Sequence, residues 1–286
     1  MILVTGAAGK TGKTLMRELL DRGRYVRALV HTQSQAEKLK ALGVQEALAG
    51  DMRSRGEIVQ AFKDIRAVYH IPPNVSPYEI NIGKNVIVGS QSAGVEHFVY
   101  HSVLHPQVEA MPHHWAKMRV EEALFESGLA YTILQPAVYM QNILAYWDVI
   151  LREGIYRVPY SPDTRLSFVD LEDVAQVAGK VLTESGHEGA VYELCGPENM
   201  SVKETVSMIS RCLNREVKVS QISIAEWEVQ AHKNRLEEYQ VNALIKMFRY
   251  YERFGFTGNP NVMEYLLNRP ANSFKTFIER MLEKCS

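Results

Sequence analysis

The stretch ILVTGAAGKTGKTLMRELLDRG, residues 2–23, decides how the rest of the chain is read. Four apolar or β-branched residues, ILVT, run into three glycines at Gly6, Gly9 and Gly12. A segment that places Leu15, Leu19 and Leu20 on one helical face follows, and it stops at Gly23. The pattern predicts a strand, a tight turn and an amphipathic helix with a glycine C-cap. Glycines at that spacing let backbone approach a bound pyrophosphate closely, and the helix start offers N–H groups and partial positive charge. The spacing alone is weak; the strand–turn–helix context, with a second strand after it, makes it specific for a dinucleotide.

The same alternation continues outward. YVRALV (25–30), QEALA (45–49), AVYHI (67–71), HFVYHS (97–102) and YTILQ (131–135) read as strands, with helices expected over 33–42, 54–63, 78–93 and 112–127. Pro112 suits a helix start, where its missing N–H costs nothing. Strands alternating with helices predict an α/β fold with a doubly wound parallel sheet. After Pro136 the alternation loosens. Helices are expected over 139–152, 171–184 and 201–213, strands near 166–169 and 190–194, and a mostly helical 234–286 broken by GFTGNPN (255–261). The expected organisation is a nucleotide-binding domain over 1–136 and a smaller, mostly helical domain over 137–286 that closes over a ligand.

Composition narrows the partners. Hydrophobic residues make up 46% of the 286, and 32 Lys and Arg nearly balance 33 Asp and Glu, for a net charge of −1. The cations are scattered, so the basic footprint that nucleic acid needs is missing. Cys195, Cys212 and Cys285 have no metal-ligand spacing and form no even set, which reads as reduced thiols. The first strand opens at residue 2, leaving no room for a secretory signal. AVYMQNILAYWDVIL (137–151) contains Gln141, Asn142 and Asp148 and is too short and polar to span a bilayer. A cytoplasmic protein with a small-molecule substrate is expected, with neither nucleic acid nor membrane as partner.

Two strand ends bear on which dinucleotide binds. An acidic residue ending the second strand would bond the adenosine ribose and repel a 2′-phosphate. Here the strand ends ALVHTQSQ (28–35), with His31 and Thr32 and no acid, and Lys10 adds a cation in the glycine turn. NADP is favoured and NAD stays open; His31 reads either as a phosphate contact or as an exposed strand-end residue. GDM (50–52) ends the third strand, where Asp51 would accept from the adenine amino group or cap the helix starting near Ser54.

Together these pieces resemble the short-chain dehydrogenase/reductase superfamily, and more narrowly its atypical NmrA-like branch. The resemblance rests on ILVTGAAGKTG, GDM, HIPP (70–73), YHSV (100–103) and HHWAKMRVEEALFESGLAYTILQPAVYMQNI (113–143). It extends through SFVDLEDVAQVAGKVL (167–182), YELCGPENMSVKETVSMI (192–209) and GFTGNPNV…RPANSFKTFI, covering nearly the whole chain. It implies a Rossmann domain binding NAD(P) and a small C-terminal domain. Carried over, it places the pyrophosphate at Gly6, Ala8, Gly9, Lys10, Thr11 and Gly12, and the adenosine phosphate at His31. Adenine falls near Asp51 and Met52, and the nicotinamide half near Ile71, Pro72, Lys117 and Pro136. The branch holds reductases of quinones, azo compounds and dyes, and also redox sensors that act through protein partners.

The stretch MPHHWAK (111–117) departs from the superfamily's Tyr-x-x-x-Lys pattern, with His113 at the tyrosine position and Lys117 kept. The two share a helix face. His113 is a candidate proton donor, or one of two polar residues, with His114, in a first helical turn. Ser102 lies near the expected place of a catalytic serine, beside His101 and His105. No carboxylate or cysteine completes a metal set with these histidines, so no metal is expected. Tyr139, Met140, Ile143 and Trp147 recur at helical spacing, as core or as an aromatic substrate wall, with Asn142 a polar contact; Tyr250 and Tyr251 read as packing or as a pocket cover. The expected activity is hydride transfer from NAD(P)H to a small conjugated acceptor such as a quinone. The rival is a non-catalytic dinucleotide sensor, with a homodimer or a regulatory partner open, and a sugar-nucleotide epimerase ranks last because it needs the absent tyrosine.

Overall fold

A computed structural model describes residues 1–283. Cys285 therefore lies outside the described residues; Cys195 and Cys212 are free thiols. The elements run β1 (Ile2–Thr5), α1 (Lys10–Asp21), β2 (Val26–Val30), α2 (Gln33–Ala41), β3 (Glu46–Ala49), α3 (Arg55–Ile58), β4 (Ala67–His70), α4 (Glu79–Ser92), β5 (His97–His101), α5 (Pro112–Phe125) and β6 (Tyr131–Pro136). There follow β7 (Val138–Tyr139), α6 (Trp147–Glu153), β8 (Ile155–Val158), β9 (Arg165–Val169), α7 (Leu171–Thr183), β10 (Ala190–Leu194), β11 (Asn199–Ser201) and α8 (Val202–Leu213). The chain closes with β12 (Lys218–Gln221), α9 (Ile224–Lys233), α10 (Glu238–Phe254), α11 (Asn261–Leu267) and α12 (Phe274–Glu283). It divides into two compact units. One holds Met1–Gln107, His113–Gln135 and Val174–Tyr192; the other holds Val108–Pro112, Pro136–Asp173 and everything from Glu193 on.

In the first unit a seven-stranded sheet has the order β10-β6-β5-β4-β1-β2-β3. The pairs from β3 through β6 are parallel. The chain moves outward from β1 to β3, returns to β4 beside β1, and moves outward on the other side. This is the Rossmann winding, and it opens a crevice at the carboxyl ends of β1 and β4. β1, β2 and β4 are buried at every position because helices cover both faces. The core gathers Leu3, Leu29, Phe62, Val68, Val86, Phe98, Val120 and Ile133.

Helix contacts set the register of the site. α1 buries Gly12, Leu15, Met16 and Leu19, and Gly12 lets it press on the strand end: a Cβ there would lie 2.6 Å from the Ala7 Cα. α4 and α5 meet where Gly83 faces Val120, a Cβ at position 83 lying 2.6 Å from the valine Cγ1. That contact brings Glu79, one turn before Gly83, level with Lys117, one turn before Val120.

The second unit is built on β9 between antiparallel β11 and parallel β7, with β12 pairing parallel to β8. Three expectations change here and in the first unit. The helix expected over 54–63 is a four-residue α3 followed by a 3-10 turn, Val59–Phe62. The helix expected over 139–152 is β7, a 3-10 segment Met140–Tyr146 and the short α6. The side chain of Gln141 explains the break: it bonds Asp170 at 2.7 Å and receives the Leu171 N–H, contacts that a regular helix would carry away. Strands β8, β11 and β12 and helix α9 were not anticipated. Among the described residues no helix is long and apolar enough to cross a membrane.

Candidate active site

The glycine turn links β1 to α1. Gly6 takes φ 60°, and a Cβ there would lie 2.6 Å from the Ile71 carbonyl oxygen, so the ends of β1 and β4 pass at contact distance. The hydroxyl of Thr5 fixes that approach, accepting the Ile71 N–H at 3.1 Å and bonding His70 Nδ1 at 2.7 Å. Gly9 is different. It is exposed, with ordinary φ of −71°, and a Cβ would meet only the Gly6 carbonyl oxygen at 3.4 Å. Among the described residues no close contact demands glycine there. As N-cap of α1 it brings no capping side chain, and the first turn has no acid to compete with an anion. Half-buried Ala8 and Thr11 and exposed Lys10 flank it. This cradle fits a dinucleotide pyrophosphate.

At the carboxyl end of β2, His31 is exposed, its backbone N–H held by Gln35 while Thr32 caps α2. Asp51 does not cap α3. Ser54 is the N-cap, and the Asp51 carboxylate instead accepts the Arg53 backbone N–H at 2.9 Å and its guanidinium at 2.6 Å. The hydrogen bonds from Arg53 hold that carboxyl below its ordinary range. The guanidinium also lies 5.2 Å from the centroid of the Tyr78 ring. Asn85 of α4 pins the loop, donating to the carbonyls of Met52 and Arg53 at 3.0 Å. Local pattern does not single out Arg53, Tyr78 or Asn85, because Tyr78 and Asn85 meet the 51–53 loop from more than twenty residues on.

Between α5 and α4, Lys117 reaches across and its Nζ donates to Glu79 Oε1 at 2.6 Å. Glu79 is 1% exposed, and the buried Tyr100 hydroxyl donates to the same oxygen at 3.2 Å. Burial pushes the Glu79 carboxyl up, while Lys117 and Tyr100 pull it down. The His70 ring stacks on Tyr100 at 5.8 Å, and His101 Nδ1 bonds the Tyr69 hydroxyl at 2.6 Å. His113 is 7% exposed and packs edge-on against His114, centroids 4.7 Å apart; His114 Nδ1 donates to the His105 carbonyl. Burial first, then the Lys117 charge, lowers His113 to about 4 and His70 and His101 to about 3. Burial and the neighbouring His113 take His114 to about 3. Burial thus favours the neutral imidazole in all four at neutral pH.

Three buried polar atoms in this shell have no hydrogen-bond partner: Glu79 Oε2, His70 Nε2 and His113 Nδ1. Ser102 stands apart from them. Its buried hydroxyl donates to Glu121, whose two oxygens also receive Gln135 at 3.0 Å. Glu79 has a readable signature: a charge on the apolar stripe 79, 82, 83, 86 of its helix. Among the described residues no group of three His, Cys, Asp or Glu side chains is arranged to hold a metal.

The other candidates belong to the second unit. Pro136 and Trp147 are buried, Tyr139 is half-buried, and Asn142 is exposed on the 3-10 segment. Tyr251 is buried against Phe256, rings stacked at 4.9 Å, while Tyr250 packs on Phe254. Tyr146 meets Tyr156 edge-on at 5.3 Å.

The NmrA-like family profile matches residues 1–281. The NAD(P)H azoreductase of Xenophilus azovorans is 29% identical over 279 residues, 97% of this chain and 96% of that one. Quinone oxidoreductase 2 of Escherichia coli is 26% identical over 229 residues, 79% of each. An NADPH-dependent quinone oxidoreductase of Escherichia coli, solved with NADPH, superposes with a TM-score of 0.86 at 22% identity, over 99% of this chain and 100% of that one.

Proposed function

We propose, from the premise that this chain belongs to the NmrA-like family, that it is an NAD(P)H-dependent oxidoreductase that prefers NADPH and reduces a small conjugated acceptor of the quinone or azo type. The names of its azoreductase and quinone oxidoreductase relatives support that acceptor class. The observation that carries the reading is the pairing at 113 and 117: a neutral, buried imidazole beside an ammonium fixed by a buried carboxylate.

The glycine cradle would hold the pyrophosphate, with His31 and Lys10 favouring a 2′-phosphate where no acid blocks it. Ile71 and Pro72 would border the nicotinamide, and Lys117 would hold its ribose. Bound there, the cofactor supplies a hydride. The acceptor oxygen or nitrogen would then gain negative charge, which the ammonium of Lys117 would stabilise. Preorganised charge of this kind is worth roughly a hundredfold or more in rate. A quinone's product is a resonance-stabilised phenolate that water protonates. An aldehyde's alkoxide needs a positioned acid, and this shell of neutral histidines supplies none.

The test is NADPH and NADH titration followed by turnover across quinones, azo dyes and aldehydes. Tighter NADPH binding and turnover confined to the conjugated acceptors are expected. Tight NADPH binding with no turnover of any acceptor would move the protein to the sensor reading, and faster aldehyde reduction would remove the acceptor class.

A further inference from the structure

We propose that Glu79 is the positioning residue for Lys117: its carboxylate, delivered by α4 where Gly83 lets α5 approach, fixes the ammonium in the geometry that grips the cofactor ribose. The proposal deepens the reading given above and rests on Lys117 as a cofactor contact.

Three observations converge. Lys117 Nζ has Glu79 Oε1 as its partner at 2.6 Å, and among the described residues no other carboxylate pairs with it. The lysine side chain is 14% exposed and the glutamate 1%, so the pair sits where water screens little and one geometry is held. The surroundings offer no substitute. β4 presents His70, β5 presents Tyr100 and His101, and α5 presents His113 and His114, all without negative charge at neutral pH. Glu121, also on α5, is committed to Ser102 and Gln135.

The geometry leaves Lys117 suited to the task. An ammonium has three donors; one is spent on Glu79, and two remain for a ribose diol. The Tyr100 hydroxyl, kept protonated by burial, donates to the same carboxylate oxygen and holds it in place. The side chain of Lys117 carries four rotatable bonds, and fixing its end before the cofactor arrives lowers the ordering cost of binding.

A double-mutant cycle on NADPH affinity tests this, using Glu79→Gln, Lys117→Met and the two combined in the full chain. Lys117→Met is expected to weaken NADPH binding at least tenfold. Glu79→Gln should weaken it about tenfold, the scale of one charge-assisted hydrogen bond, and should change nothing in the Lys117→Met background. Equal losses in both backgrounds, or unchanged affinity in Glu79→Gln alone, would overturn the proposal. Wild-type affinity in Lys117→Met would overturn it together with the role given to Lys117. Should Glu79→Gln fail to fold, Glu79→Asp keeps the charge but draws it back by one methylene. It should weaken NADPH binding only when Lys117 is present; a loss independent of Lys117 would again overturn the proposal.

Discussion

Burial, more than the neighbouring ammonium, sets the charge of His113, and the same holds for His70, His101 and His114. Sequence showed the histidine at the tyrosine position and the lysine one turn on; it did not show that the imidazole faces inward, because a first helical turn usually faces water. The four depressed values carry a stability consequence whose sign is fixed. Unfolded histidines take up protons near pH 6.5 while the folded ones wait until about 3 to 4, so their contribution is full above pH 6.5 and is lost as pH falls. Each can remove up to about 1.4 kcal/mol per pH unit in that window. The carboxyls of Glu79, Glu121, Asp173 and Glu198, pushed up by burial, act in the opposite direction and offset part of this loss. Denaturant unfolding from about pH 7.5 to 4.5 should therefore show steep acid loss, and His101→Gln should flatten it. A flat curve would mean that these rings are not buried.

At the scale of elements, the glycine turn separates what the fold requires from what a ligand requires. Gly6 and Gly12 are constrained by backbone contacts with Ile71 and Ala7, whereas Gly9 has room for a side chain. Gly9→Val should therefore leave stability within roughly 1 kcal/mol, the scale of an exposed backbone substitution, while abolishing NADPH binding. A titration in which the variant still binds would remove the turn from the site; a variant that fails to fold would show that Gly9 serves the fold. Strands and helices of the first half were legible because a parallel sheet covered on both faces writes continuous apolar runs, and β1 through β6 fall within a residue or two of their expected spans. The second half was legible in part: β9, α7, β10 and α8 also fall within a residue or two of their expected spans, while the segment after Pro136 and the short strands do not. Met140–Tyr146 has helical spacing, yet Gln141 is claimed by Asp170 and Leu171 about thirty residues on. The four-residue β8 and β12 exist only because each pairs with the other, more than fifty residues away.

Across the whole molecule, the ionisable groups proposed to act in the chemistry lie in the first unit, while the buried Asp170 and Asp173 of the second are paired with arginines. Asp170 pairs with Arg280 and Asp173 with Arg269, each at 2.6 Å, tying the start of α7 to the C-terminal segment. The resemblance carried by SFVDLEDV pointed to this half without revealing that use, since both arginines lie about a hundred residues on. Of the candidate site, the glycine turn stands out by spacing and Lys117 by the resemblance; Glu79 shows in the sequence only as a charge on an apolar helical stripe, and its partner lies thirty-eight residues away. The central claim is that hydride passes to an acceptor whose product needs no acid from the chain. Single-turnover oxidation of bound NADPH by a quinone, followed from about pH 5.5 to 8, tests it most directly in the wild type and in His113→Ala. The account predicts a rate flat across that range and, in the variant, within about threefold of wild type, since a positioned acid would be worth about a hundredfold or more. A rate that falls as pH rises through about 6 to 7, with that fall absent in His113→Ala, would contradict it.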